Sequence, residues 1–266
     1  MSIESRISER FVNIGDFEIY CKILNPSEIL TKPVIIFLHE GLGTSESWGF
    51  YAYELSQMLE LPALIYDRRG YGKSSKHFWV GNSNYLHEEA NLLNDLIKEL
   101  GIRSPIIFGH SDGATIALIF GGLFPNKPSA VISVAAHTFL EDHTFNGVKK
   151  TIKLYDNLKF KEKLMKRLGD RTDDIFYSWA LTWSSDGLVE WNIYDELNKI
   201  ICPVLVLQGD NDQYGTLKQV LSISERNLKN SEYEILSDCG HIPHIEKKKE
   251  MLEKCANFVK NKVLLK

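Results

Sequence analysis

The chain is 266 residues long, 44% hydrophobic and 25% charged, which suits a soluble globular protein with a substantial core. Its formal net charge of -4 argues against a nucleic-acid surface as its main purpose. Residues 1–6 are polar and carry an acid, so they are not read as a signal peptide. No apolar run is long enough to span a bilayer, so no membrane partner is expected.

Residues 10–24 read as a hairpin. Phe11, Val12 and Ile14 lead to Gly15-Asp16, and residues 17–21 then alternate at period two. After Pro33, residues 34–38 are wholly apolar, the mark of a strand buried on both faces. That run ends in His39-Glu40-Gly41-Leu42-Gly43, and helical spacing follows over 48–59. Residues 61–66 form the next apolar strand. It ends in a charged glycine loop, Asp67-Arg68-Arg69-Gly70-Tyr71-Gly72-Lys73-Ser74, whose arginines are expected to tie neighbouring loops together. An amphipathic helix over 88–100 places Leu92, Leu93, Leu96 and Ile97 on its apolar side.

The next stretch organises the chain. Ile106-Ile107-Phe108-Gly109-His110-Ser111-Asp112-Gly113-Ala114-Thr115 begins as an apolar strand, passes through G-x-S-x-G and continues into a run apolar enough for a buried helix. Strand, sharp turn and helix are the context a nucleophile elbow requires, with a strained serine and glycines that let strand and helix approach. A plain small-residue turn closing a β-α unit is the bland alternative. Residues 130–136 are another buried strand. Over 137–202 the rhythm changes: no buried strand, helical stretches, Trp179, Trp183 and Trp191, and a lysine-rich segment over 149–171. We read this as an inserted helical cap. The lysines are expected on a solvated helix face, with attraction for an anionic substrate as the sharper alternative. The α/β rhythm returns with a strand at 204–209, a helix over about 217–227, a strand at 233–236 and a final helix from 248. The fold expected is α/β, a mostly parallel, doubly wound sheet with core residues 1–136 and 203–266.

A serine hydroxyl is a poor nucleophile at neutral pH, so it needs a base, and the base needs a third group to orient it. Gly209-Asp210-Asn211-Asp212 ends one strand, and Asp238-Cys239-Gly240-His241 follows the next. Asp210 competes with Asp212, Glu141 and Asp142 occupy an earlier loop, and His244 competes with His241. The other six histidines (His39, His77, His87, His110, His137 and His143) are expected at the surface or supporting the site from behind. None of the four cysteines, Cys21, Cys202, Cys239 and Cys255, forms C-x-x-C or zinc spacing. A reducing, cytoplasmic setting is therefore expected. Cys239, beside His241, is expected within reach of oxidants.

On residues 38–43, 67–74, 109–113, 209–212 and 240–246, the chain resembles the α/β-hydrolase superfamily, in its serine-nucleophile, small-cap form. The resemblance covers nearly the whole length. It implies Ser111 as nucleophile, Asp212 as acid and His241 as base, with the Gly41 and Asp112 N–H groups holding the oxyanion. It implies no metal and no organic cofactor. Glu40 stands where the family commonly has the glycine of a His-Gly pair. Facing the anion it would oppose catalysis, so it is expected to turn away into a hydrogen-bond network. The Asp112 carboxylate is expected to favour the helix N-terminus, with a cationic substrate group as its alternative partner. Tyr177, Trp179, Trp183 and Trp191 are expected to wall a modest acyl or aryl pocket, with ordinary packing between cap and core as the alternative. The expected activity is hydrolysis of a small carboxylic ester. The same three residues could cleave a C–C bond, a thioester or an amide, and the fold could also serve a non-catalytic small-molecule binder. Oligomeric state is not fixed by the sequence.

Overall fold

The computed structural model describes residues 7–79, 81–226 and 230–265. Residues 1–6, read above as no signal peptide, lie outside these, as does Asn227 at the expected end of the 217–227 helix. Among the described residues, eight strands form one sheet in the order β1-β2-β4-β3-β5-β6-β7-β8. β1 (Ile7–Ile14) and β2 (Phe17–Leu24) are the hairpin at one edge, and β2 meets β4 (Ala63–Tyr66) antiparallel. β4, β3 (Val34–Leu38), β5 (Pro105–His110), β6 (Ala130–Val134), β7 (Val204–Gly209) and β8 (Ser231–Leu236) run parallel.

Every residue of β3 to β7 is buried, which is why these strands read as unbroken apolar runs rather than alternating ones. Their side chains divide between two cores. Ile36, Leu38 and Ile107 face a core shared with α2 (Tyr85–Glu99), α3 (Asp112–Leu123) and α8 (Leu217–Arg226). Ile35, Phe37, Ile106 and Phe108 face the other core, closed by α1 (Tyr51–Leu59) and α10 (Lys248–Val259). The period of two along each strand sends neighbours to opposite faces.

Between β6 and β7 the chain forms α4 (Asp142–Tyr155), α5 (Leu158–Leu168), α6 (Thr172–Trp183) and α7 (Tyr194–Leu197). Among the described residues of this stretch the extended pairing is a single bridge, Phe139 to Asn192. Val148, Leu164, Leu168, Phe176 and Trp179 from these helices join the core that holds α3. A short helix, α9 (Pro243–Glu246), precedes α10.

Several boundaries differ from the sequence reading: the hairpin begins at Ile7 rather than 10, β6 ends at Val134 rather than 136 and β8 begins at Ser231 rather than 233. A 3-10 turn at Ser45–Trp48 ends at Gly49, φ 48°, and only then does α1 begin. α2 begins at Tyr85 rather than 88, because Tyr85 and Leu86 bury the first turn. β4 begins at Ala63 rather than 61: Pro62 has no N–H to give a ladder, though its carbonyl accepts from Ile35 N at 3.0 Å. Among the described residues no helix is long and apolar enough to cross a membrane.

Candidate active site

β5, β7 and β8 are parallel, so their C-terminal ends open at the same edge of the sheet, where open α/β sheets place their ligands. Ser111 follows β5 directly and caps α3 with φ 54° and ψ -119°, a region that costs a non-glycine residue roughly 1–3 kcal/mol. The bend is tight on both sides. A Cβ on Gly109 would lie 2.0 Å from the Gly113 carbonyl oxygen, and one on Gly113 would lie 2.1 Å from that of Leu38. Backbone, not a movable side chain, fills that space, so only glycine fits at either position.

The loops after β7 and β8 bring Asp212 and His241 to this serine. His241 Nε2 is 2.9 Å from Ser111 Oγ, and His241 Nδ1 is 2.9 Å from each Asp212 carboxylate oxygen. The acceptor on the far side fixes the proton on Nδ1, which leaves Nε2 free to accept from the serine hydroxyl. Asp212 Oδ1 also accepts from the N–H groups of Tyr214, at 2.8 Å, and Gly215, at 3.2 Å. Burial works to raise the Asp212 pKa, but the facing His241 ring and the Tyr214 N–H outweigh it and hold it at about 2.

The competing residues are occupied elsewhere. Exposed Asp210 caps its own turn, accepting from Asn211 Nδ2 and from Cys239 N. Glu141 accepts from the Thr216 N–H and hydroxyl and from Gln219 Nε2. Asp142 is an exposed first-turn residue of α4. His244 is buried against Trp48, Tyr51 and the His110 ring.

Gly41 and Asp112 both line the cavity beside Ser111. A Cβ on Gly41 would press on Trp179 at 2.5 Å and on the Asp112 carboxylate at 2.9 Å. Asp112 N–H opens α3, where no carbonyl one turn earlier can take it. The Asp112 carboxylate accepts from Tyr85 Oη at 2.8 Å and faces Arg68 Nη2 at 3.5 Å; Tyr85 Oη in turn accepts from Trp183 Nε1. Glu40 folds back over Gly43, where a Cβ would meet its carboxyl at 2.3 Å. Its Oε1 accepts from Ser47 Oγ at 3.0 Å and Arg167 Nη1 at 3.2 Å, and its Oε2 lies 3.6 Å from His110 Nδ1. Burial alone would raise its pKa, but His110 and Arg167 hold it well below the carboxylate range.

Beside the serine is a cavity of about 240 Å³ whose apolar wall includes Leu42, Val148, Phe160, Leu164, Trp179 and Trp183. Tyr177 and Trp191 are not part of it, contrary to the sequence reading. Tyr177 is half exposed and lies edge-on to Tyr155 and Phe176. Trp179 and Trp183 stand one turn apart on α6 and share a face, whereas a residue two positions from Trp179 points to the opposite side. Trp191 packs edge-on against Trp183 from behind.

Some residues of the site gave little sequence signal. Tyr214 sets its ring 4.7 Å from that of His241, and its carbonyl accepts from Thr144 Oγ1 on α4. His143 Nε2, also from α4, contacts the Asp212 carbonyl at 2.9 Å, so α4 braces the loop that carries Asp212. An aspartate two residues before Tyr214, bonding its N–H, is the local signature that could have found that turn. Cys239 departs from expectation: it is fully buried, and burial pushes its thiol up to about 11, away from the reactive thiolate.

Three of the other histidines are buried as well: His39, His110 and His137. His110 Nε2 donates to the main-chain carbonyl of His241 at 2.7 Å, tying the elbow to that loop. Burial, together with Arg68, pushes His39 down to about 4, and burial, with His110, pushes His244 down to about 3. Both stay neutral in the fold, whereas an unfolded histidine takes up a proton near pH 6.5. Their contribution is present above about pH 6.5 and is lost as pH falls toward the folded values. Unfolding free energy is expected to drop by roughly 2–3 kcal/mol per histidine between pH 7 and 4.5. Urea titrations at the two pH values check this, and His244→Phe should remove about one histidine's share of the slope.

The model of the alpha/beta hydrolase family matches residues 35–254. The chain is 21% identical to a proline iminopeptidase of Lactobacillus delbrueckii subsp. bulgaricus, over 96% of this chain and 98% of that protein. It is 26% identical to the bifunctional esterase/perhydrolase DCH of Acinetobacter calcoaceticus, over 68% and 75%. The structure of 2-hydroxy-6-oxo-6-phenylhexa-2,4-dienoate hydrolase from Rhodococcus sp. strain RHA1 has the same fold, with a TM-score of 0.79 at 17% identity over 95% of this chain and 98% of that one.

Proposed function

Because the chain belongs to the alpha/beta hydrolase family, we propose that it is a serine hydrolase cleaving a small carboxylic ester through an acyl-enzyme. The observation that carries this reading is the relay from Ser111 Oγ through His241 to Asp212, with 2.9 Å at each step. Ser111 Oγ attacks the ester carbonyl carbon while His241 Nε2 takes its proton. The tetrahedral oxyanion rests on the N–H groups of Gly41 and Asp112. His241 returns the proton to the leaving alcohol, and the C–O bond breaks to give the acyl-enzyme. A water molecule then repeats the sequence with His241 as base and restores Ser111. Asp212 keeps the imidazole oriented and stabilises the imidazolium.

Residues 137–202 serve as a cap over the core formed by 1–136 and 203–266, and Trp179 and Trp183 serve as the acyl wall. An apolar cavity of about 150 Å³ takes a benzene, so one of about 240 Å³ is on the scale of a short acyl or a single aryl group. Both carboxylates of the cavity already face arginines, Glu40 toward Arg167 and Asp112 toward Arg68. An ester of an uncharged acid therefore suits the site better than a substrate bearing a free ammonium. The cysteines, all buried thiols, fit a cytoplasmic enzyme.

A panel of p-nitrophenyl esters from acetate to dodecanoate, with proline p-nitroanilide beside it, tests the proposal. kcat/KM should peak between butanoate and octanoate and fall by about tenfold or more at dodecanoate, since the excess chain cannot be buried. Turnover of the anilide alone would make the protein a peptidase. No turnover of any ester would overturn the esterase reading. Failure of a fluorophosphonate to label Ser111 in folded protein would favour a non-catalytic binder.

A further inference from the structure

The charged glycine loop after β4 does more than join its neighbours. Arg68 is fully buried, and one of its nitrogens reaches both the Glu40–Gly41 peptide and Asp112, which carry the N–H groups assigned to the oxyanion. Nη2 donates to the Glu40 carbonyl oxygen at 3.1 Å and lies 3.5 Å from Asp112 Oδ2. The Glu40 carbonyl belongs to the same peptide group as the Gly41 N–H. A second donor meets that oxygen, His39 Nδ1 at 2.8 Å. The tautomer is set from behind, because His39 Nε2 accepts from the Arg68 main-chain N–H at 3.1 Å. Tyr71, three residues along the loop, donates its hydroxyl to the Gly41 carbonyl at 3.0 Å, and its ring lies 4.5 Å from the Arg68 guanidinium. Both carbonyls flanking the Gly41 N–H are thus held by the 67–74 loop.

A cation on a peptide carbonyl draws electron density toward the oxygen and makes the N–H of that peptide a stronger donor, most of all where no water screens it. It also fixes the peptide plane before any anion forms, so no reorganisation is needed during reaction. We propose that Arg68, with Tyr71, is a positioning residue of the oxyanion site: it polarises and fixes the Glu40–Gly41 peptide and anchors the Asp112 carboxylate beneath the second donor. The proposal rests on the reading of Ser111, Gly41 and Asp112 given above. Arg69, its neighbour, is a different case, since it is engaged by Glu88 and Glu89 at 2.9 and 3.1 Å.

The test compares Arg68→Lys, Arg68→Met, Tyr71→Phe and Arg69→Met with wild type on p-nitrophenyl butanoate. The concentration of active sites is taken from fluorophosphonate titration of Ser111. Butaneboronic acid, which forms a tetrahedral anionic adduct on a serine, reports on stabilisation of the tetrahedral anion without a leaving-group step. Arg68→Met should lower kcat per active site by about 10² or more, the size expected for damage to one oxyanion donor. Arg68→Lys should recover part of this. Tyr71→Phe should cost about three- to tenfold, the loss of one neutral hydrogen bond. Affinity for the boronic acid should fall in parallel, KM should change by less than about threefold, and Arg69→Met should match wild type. A purely structural role would lower the melting temperature and the fraction of active sites but leave kcat per site and boronic acid affinity unchanged, and that result overturns the proposal. If Arg68→Met does not fold, Arg68→Lys and Tyr71→Phe decide by the same criterion. Absence of Ser111 labelling in wild type would instead bring down the hydrolase reading itself.

Discussion

Ser111→Ala is expected to lower kcat by about 10⁵-fold or more, the scale at which removing a serine nucleophile leaves only the catalysis of a pre-arranged pocket. Fluorophosphonate labelling should vanish with it. The fold should survive: alanine meets the same backbone demand as serine, and the change removes a single hydroxyl. Ser111→Gly should be as inactive yet more stable than Ser111→Ala by roughly 1 kcal/mol, because glycine tolerates φ 54° where a Cβ is strained. Melting curves of both variants read this directly. Activity of Ser111→Ala above about 1% of wild type, against the 10⁵-fold loss expected of a nucleophile, would mean that another group attacks the substrate.

Asp212→Asn is expected to cost roughly 10⁴-fold in kcat with KM little changed. The carboxylate accepts the His241 Nδ1 proton with both oxygens. A carboxamide can offer its NH₂ to Nδ1 instead, which moves the ring proton to Nε2 and turns it against the serine hydroxyl. The controls are Asp210→Asn and Glu141→Gln, whose side chains serve turns and loop contacts; kcat should stay within about threefold, since neither touches the histidine. A collapse of activity in Asp210→Asn with normal activity in Asp212→Asn would exchange their roles. The stability side has a definite sign. The native Asp212 carboxyl titrates at about 2, below its ordinary value of about 3.9, so its contribution is present above about pH 4 and lost as pH falls toward 2. The stability gap between wild type and Asp212→Asn should narrow over that window.

The sheet was legible because its central strands are buried on both faces, and a run such as Val34–Leu38 has no other stable use at that length. The elbow was legible for a related reason: G-x-S-x-G between an apolar strand and an apolar helix is demanded by backbone clearance. Chain order also narrowed the acid and base to a few residues each. Tyr177 was misread because aromatic content was weighed without its helical phase, which sets it apart from Trp179 and Trp183. Cys239 was misread because proximity in sequence to His241 carries no information about burial.

The positions of the strands along the chain, the bend at Ser111 and the loops that carry Asp212 and His241 follow from local pattern, since burial on two faces and backbone clearance act over a few residues at a time; the order of the strands in the sheet does not. Which carboxylate meets the imidazole, where Glu40 turns, how α4 braces the Asp212 loop and how Arg68 grips the Glu40–Gly41 peptide are decided only in the folded chain. These are contacts between segments dozens of residues apart. Their worth comes from the exclusion of water and from an ångström or two of separation, and neither quantity is written in the order of the residues.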